Sequence, residues 1–250
     1  MKPLAVLLFT ALALIVPIPV LAQSTVKESI RSQGKERSYY LFVPNDINSE
    51  TPAPLIVMLH GTGRNGLSLT EKWTALAKKE KIIIVAPNAS SAQGWKIPED
   101  GPDFIYDVVE ALKAKLPINP RRVYLFGHSA GATQALYLSL LESQYFAATA
   151  VSAGALLAED GVYIARAQRK IPISVFVGTN DNQFPLKVVR ATRDALNASG
   201  FNSELTEIKG HTHAYYDRAD EINRGAWEFL KVHELSSEPK YQQHRFDTSN

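Results

Sequence analysis

Apolar runs rich in β-branched and aromatic residues recur along the chain, and amphipathic stretches separate them. Tyr39 to Val43, Leu55 to His60, Ile82 to Ala86, Val123 to Phe126, Ala147 to Ser152, Ile173 to Val177 and Ser203 to Ile208 read as strands. Several of them show no polar alternation, which is the pattern of strands covered on both faces in a mostly parallel sheet. Leu69, Trp73, Leu76 and Ala77 recur at helical spacing, and Ser68 with Glu71 suggests a capping box at that helix start. Phe104, Val108, Ala111 and Leu112 form a second stripe, and Val188, Thr192, Ala195 and Leu196 form another. Ala132 to Leu141 is apolar on most faces, as a helix enclosed by its neighbours would be, and Ile222, Ala226, Phe229 and Leu230 mark a last helix. Trp73 and Trp227 lie on these stripes and read as core. Alternation of this kind predicts an α/β three-layer sandwich in one domain. About 20 residues separate the strands ending at Ser152 and starting at Ile173, room for little or no lid.

The two ends depart from this pattern. Lys2, an apolar run from Leu4 to Val16 and the small residue Ala22 before Gln23 read as a secretory signal peptide over residues 1–22, cleaved after Ala22. Pro17 and Pro19 interrupt the run, which is short for a membrane span. The expected address is the periplasm or the surrounding medium, with no membrane association once the leader is gone. Residues 23–235 form the folded domain, and 236–250 turn polar and charged, a tail expected to fray from Ser237 onward.

Composition narrows the chemistry. The formal charge is +2 and falls to near +1 when Lys2 leaves with the leader, which predicts no nucleic-acid partner. With no cysteine, the chain has no disulfide framework, thiolate metal site or cysteine nucleophile.

Gly127-His128-Ser129-Ala130-Gly131 lies between a strand and a helix, the setting of a nucleophile elbow. A sharp turn there would lift the Ser129 hydroxyl off the backbone and aim the helix's free amides at a developing oxyanion. A serine nucleophile needs a histidine base, and the base needs a carboxylate to hold its tautomer. Asp181, in the turn Gly178-Thr179-Asn180-Asp181 beyond a strand, is the candidate acid, set against the alternative that an aspartate there merely caps the turn. Lys209-Gly210-His211-Thr212-His213 offers two candidate bases, and spacing alone does not choose between them. The amides of Ala130 and Thr62 are the candidate oxyanion hole, the second lying in His60-Gly61-Thr62-Gly63 past a strand end. Trp95 is a candidate substrate-binding surface. His60 and His128 read as structural. His211 and His213 lack the carboxylates of a metal site, so neither metal nor cofactor is expected.

Leu59-His60-Gly61-Thr62-Gly63, the Ser129 elbow, Gly178 to Asp181 with Pro185, and His213-Ala214-Tyr215-Tyr216 resemble the α/β-hydrolase esterases grouped with polyhydroxybutyrate depolymerases, feruloyl and acetyl xylan esterases and S-formylglutathione hydrolases. The likeness runs from about Tyr39 to Leu230 and implies an α/β-hydrolase fold for the domain. In S-formylglutathione hydrolases the catalytic histidine stands just before a segment ending in two tyrosines, which makes His213 the expected base; depolymerase-like members use a histidine preceded by glycine, which keeps His211 as the alternative. The resemblance implies hydrolysis of carboxylic esters through an acyl-enzyme on Ser129 and does not fix the substrate; a shallow, lidless cleft would suit an ester that is polymer-linked or carries a bulky alcohol. The alternatives are a serine peptidase of the prolyl oligopeptidase type, without that type's extra domain, and a catalytically silent binding protein on the same fold.

Overall fold

A computed structural model describes residues 24–243. The expected signal peptide and the last seven residues of the polar tail lie outside the described residues. Eight strands form one sheet: β1 (Val26–Ser32), β2 (Lys35–Phe42), β3 (Ala53–Leu59), β4 (Ile83–Pro87), β5 (Ile118–His128), β6 (Thr149–Ser152), β7 (Ile173–Gly178) and β8 (Ser203–Ile208), in the order β1-β2-β4-β3-β5-β6-β7-β8. β1, β2 and β4 pair antiparallel, and every pairing from β4 through β3 to β8 is parallel.

Two cores sandwich this sheet, which explains the continuous apolar runs. Leu55, Val57, Val123 and Leu125 face α2 (Pro102–Lys113), α3 (Ala130–Leu141) and α5 (Leu186–Ala198). Their neighbours Ile56, Met58, Tyr124 and Phe126 face α1 (Gly66–Glu80) and α6 (Ala219–Leu230). Successive strand residues point to opposite faces, so a strand dry on both sides carries apolar residues at every position. Trp73 is fully buried edge-on to Phe126, with ring centroids 4.9 Å apart, and Trp227 is also buried. Each such side chain contributes about 1.5–3 kcal/mol by leaving water.

The structure departs from the sequence reading at several points. β1 is an additional strand whose charged, half-exposed residues give little apolar signal, as suits the outer edge of a sheet. Helix α1 starts at Asn65 rather than in a Ser68/Glu71 box: the Asn65 side chain accepts from Ser68 N at 3.2 Å, and Asn88 Oδ1 accepts from Gly66 N at 2.9 Å. The stripe on α5 is Val189, Thr192 and Leu196; Val188 is offset by one position and exposed. Between β6 and β7 stand only a short 3-10 turn and the six-residue α4 (Gly161–Arg166), leaving little lid.

The expected fraying from Ser237 is corrected as far as Gln242. Tyr241 stacks on Tyr106 with centroids 3.9 Å apart and its hydroxyl donates to Asp103, while Lys240 N and Gln242 N donate to Gln144 O and Glu142 Oε2. An aromatic ring within a polar segment gives it apolar surface to bury.

Candidate active site

The parallel strands deliver their carboxyl ends to one rim, and the loops leaving β3, β5, β7 and β8 meet there. Ser129 links β5 to α3 with φ 58° and ψ −125°, a left-handed conformation costing about 1–3 kcal/mol in a residue with a side chain. Two glycines permit the turn. A Cβ at Gly127 would stand 2.2 Å from Gly131 O, and one at Gly131 would stand 2.0 Å from Leu59 O. Ser129 N donates to Ser152 O at 3.0 Å, tying the elbow to the end of β6.

Beyond β8, the loop before the 3-10 turn Tyr215–Asp217 turns His213 back toward the elbow. Its Nε2 lies 2.9 Å from Ser129 Oγ and its Nδ1 lies 2.9 Å from Asp181 Oδ2. The ring is held between Phe184, nearly parallel at 5.7 Å, and His128 at 5.0 Å. The Asp181 carboxylate is fully buried, and its other oxygen accepts from Gln183 N at 2.9 Å and Phe184 N at 2.8 Å. Asp181 therefore caps the turn with one oxygen and faces His213 with the other. An ionised carboxylate only accepts, so His213 carries its proton on Nδ1 and offers the Nε2 lone pair to the Ser129 hydroxyl.

His211, the other candidate base, lies outside the cleft around Ser129; its carbonyl accepts from Asn180 N at 2.9 Å, and partial burial lowers the pKa of its ring. His128 is buried, with Nδ1 3.2 Å from Ser152 O. Burial, reinforced by the facing His213, pushes its pKa down to about 4, so it stays neutral. His60 is buried too, and burial lowers its pKa. Its Nε2 accepts from Ala89 N at 3.1 Å, which fixes the proton on Nδ1, 2.9 Å from Gly61 O.

A Cβ at Gly61 would stand 3.2 Å from Ser129 Cβ, so the β3 loop abuts the elbow. Thr62 and Ala130 both close on Gly94: a Cβ there would lie 3.5 Å from Thr62 Oγ1 and 3.6 Å from Ala130 Cβ. Neither the Thr62 nor the Ala130 amide has an acceptor among the described residues. Trp95, expected against substrate, is not among the residues lining the cleft; its indole Nε1–H donates to His60 O at 2.8 Å instead. The tryptophan's one donor thus satisfies a loop carbonyl, and its ring packs against His60 with centroids 5.0 Å apart.

The cleft around Ser129 has a volume of about 700 Å³ and a polar lining that includes Tyr216, part of the motif quoted from sequence, together with Arg64, Asn182, Gln183 and Asp217, which are not singled out there. Their only sequence signal is adjacency, because they flank Thr62, Asp181 and His213 in the chain. The Arg64 guanidinium sits 4.9 Å from the Tyr216 ring centroid. Among the described residues no group of three His, Asp or Glu side chains could hold a metal ion.

Residues 102–221 match the model of the Phospholipase/Carboxylesterase family. The chain is 27% identical over 163 residues to the bifunctional acetylxylan esterase/xylanase XynS20E of Neocallimastix patriciarum, covering 63% of this chain and 23% of that protein. It is 32% identical over 115 residues to the poly(3-hydroxyalkanoate) depolymerase C of Paucimonas lemoignei, covering 41% of this chain and 28% of the other. The chain thus spans about a quarter of the length of these relatives. The ferulic acid esterase AmCE1/Fae1A of Anaeromyces mucronatus superposes with a TM-score of 0.68 at 18% identity, over 84% of this chain and 90% of the other. A structural likeness at that identity shows the α/β-hydrolase fold, and the sequence matches make the chain similar to polyester depolymerases and acetylxylan esterases over part of its length.

Proposed function

We propose that the protein is an exported serine carboxylic-ester hydrolase with Ser129 as nucleophile, His213 as base and Asp181 as the acid that orients it. The hydrogen-bonded chain from Ser129 Oγ through His213 to Asp181, with both links at 2.9 Å, carries this reading. Ser129 Oγ attacks the ester carbonyl carbon as Nε2 takes its proton, and the amides of Thr62 and Ala130 hold the oxyanion. His213 then protonates the leaving alkoxide, and the acyl group stays on Ser129. A water molecule, deprotonated by His213, releases the acid and restores the serine. Asp181 steadies the imidazolium that forms in each half-reaction.

The open, polar cleft suits an alcohol that is bulky or polymer-linked, in keeping with the names of the relatives. Export rests on the leader-like first 22 residues; among the described residues no helix is long and apolar enough to cross a membrane. Ser129→Ala tests the reading. The variant is expected to keep its near-ultraviolet circular dichroism and lose p-nitrophenyl acetate turnover by at least about 10³-fold. An unchanged rate would eliminate the proposal.

A further inference from the structure

The segment following β4, from Asn88 to Asp100, contacts the Thr62 loop at several points and contributes none of its residues to the chemistry described above. On both sides of Thr62 it fixes the backbone. Before Thr62, Ala89 N donates to His60 Nε2 at 3.1 Å and Trp95 Nε1 donates to His60 O at 2.8 Å. After Thr62, Gly63 N donates to Ala92 O at 2.9 Å and Gly66 N to Asn88 Oδ1 at 2.9 Å. The Thr62 amide itself has no acceptor among the described residues.

A buried ionic hub anchors this segment. Asp100 is fully buried, and its carboxylate accepts from Arg37, from Ser90 N and Oγ at 2.9 and 2.8 Å, and from Lys96 N at 2.9 Å. Arg37 staples the two ends of the segment: Nη1 donates to Glu99 O at 2.6 Å, Nη2 to Asn88 O at 3.1 Å, and the guanidinium lies 3.6 Å from the Phe104 ring centroid. The Asp100 carbonyl accepts from Gln134 Nε2 at 2.7 Å, and Gln134 is on α3, whose first residue is Ala130. One buried residue thus ties together the supports of both candidate oxyanion amides.

We propose that Trp95 and the Arg37–Asp100 pair are positioning residues for the oxyanion hole: the pair fixes segment 88–100, and Trp95 transmits that fixity to the Thr62 amide through the His60 carbonyl. The proposal rests on the esterase reading of the site. An oxyanion donor acts on charge that develops in the transition state, so its misplacement lowers kcat and spares ground-state binding. A buried, fully compensated ion pair adds little net stability over an apolar substitute, which leaves geometric definition as its contribution here.

Trp95→Phe keeps a ring against His60 and deletes its donor. It is expected to lower kcat about tenfold with KM unchanged, because small misplacements of such groups are costly. Affinity for a phenylboronic acid, whose tetrahedral adduct places an oxygen in the oxyanion hole, should fall by the same factor. Arg37→Lys keeps the charge but loses the fork that reaches Asn88, Glu99 and Asp100 together, and should show the same kcat-selective loss. If Arg37→Lys fails to fold, Trp95→Phe still decides. A Trp95→Phe enzyme with kcat within twofold of the parent, or with kcat reduced and boronate affinity intact, overturns the proposal. Inactive Ser129→Ala beside an unaffected Trp95→Phe would remove the positioning role alone, whereas active Ser129→Ala would remove the underlying reading.

Discussion

Asp181→Asn separates the two roles of that carboxylate, because the surrounding backbone dictates how an asparagine must sit. Gln183 N and Phe184 N both donate to Oδ1, at 2.9 and 2.8 Å, so the amide oxygen of Asn has to take that position. The reverse orientation would point an NH2 group at two N–H donors and lose both hydrogen bonds, each worth about 0.5–1.5 kcal/mol. The Asn NH2 then faces His213 Nδ1, where the carboxylate accepted at 2.9 Å. His213 must accept there and move its proton to Nε2, which leaves Ser129 Oγ with no base. The variant keeps every hydrogen bond in the turn, so it should fold with near-parental stability. Its kcat should nevertheless fall about 10⁴-fold, or roughly 5 kcal/mol of transition-state stabilisation. Initial rates with p-nitrophenyl acetate give the loss, and ¹⁵N-labelled imidazole spectra give the tautomer. A kcat within tenfold of the parent, with the proton on Nε2, would refute the reasoning.

Three further predictions concern the frame around the site. His128 is held neutral with its pKa lowered to about 4, against about 6.5 unfolded, so the unfolded chain binds the extra proton first and stability drains as pH falls between these values. Urea titrations near pH 7 and near pH 4 should therefore show His128→Gln losing about 3 kcal/mol less than the parent over that interval; an identical loss would contradict the buried neutral assignment. Gly131→Ala places a Cβ 2.0 Å from Leu59 O, where only backbone could yield, and should cost about 3 kcal/mol or more by urea denaturation. Tyr241→Ala removes the ring stacked on Tyr106 and should lower stability by about 1–2 kcal/mol while leaving esterase kcat unchanged, since the contact lies away from Ser129.

What the chain discloses on its own is set by how local each signal is. β3, β7 and the second half of β5, from Val123, are legible because burial on both faces demands apolar residues, whereas the polar, half-buried start of β5 from Asn119 to Arg122 is not; the elbow is legible because its strand, serine, glycines and helix adjoin in sequence. β1 is hidden because an edge strand needs neither an apolar face nor low charge. Asp181 and the histidine pair can be named from their order and their positions past strand ends. The choice between His211 and His213 depends on how a loop folds back over 84 residues to reach Ser129, which spacing does not encode. The bond of Trp95 is hidden for a similar reason: the carbonyl that accepts from its indole lies 35 residues upstream. Arg64 and Tyr216 belong to the cleft wall through a long-range contact between separate loops.

Trapping the intermediate tests the central claim most directly. Acid quenching during steady-state turnover of p-nitrophenyl acetate, followed by peptide mapping in a mass spectrometer, should find an acetyl group on Ser129. Turnover that proceeds with Ser129 unmodified and an acetyl group on another residue would contradict the account.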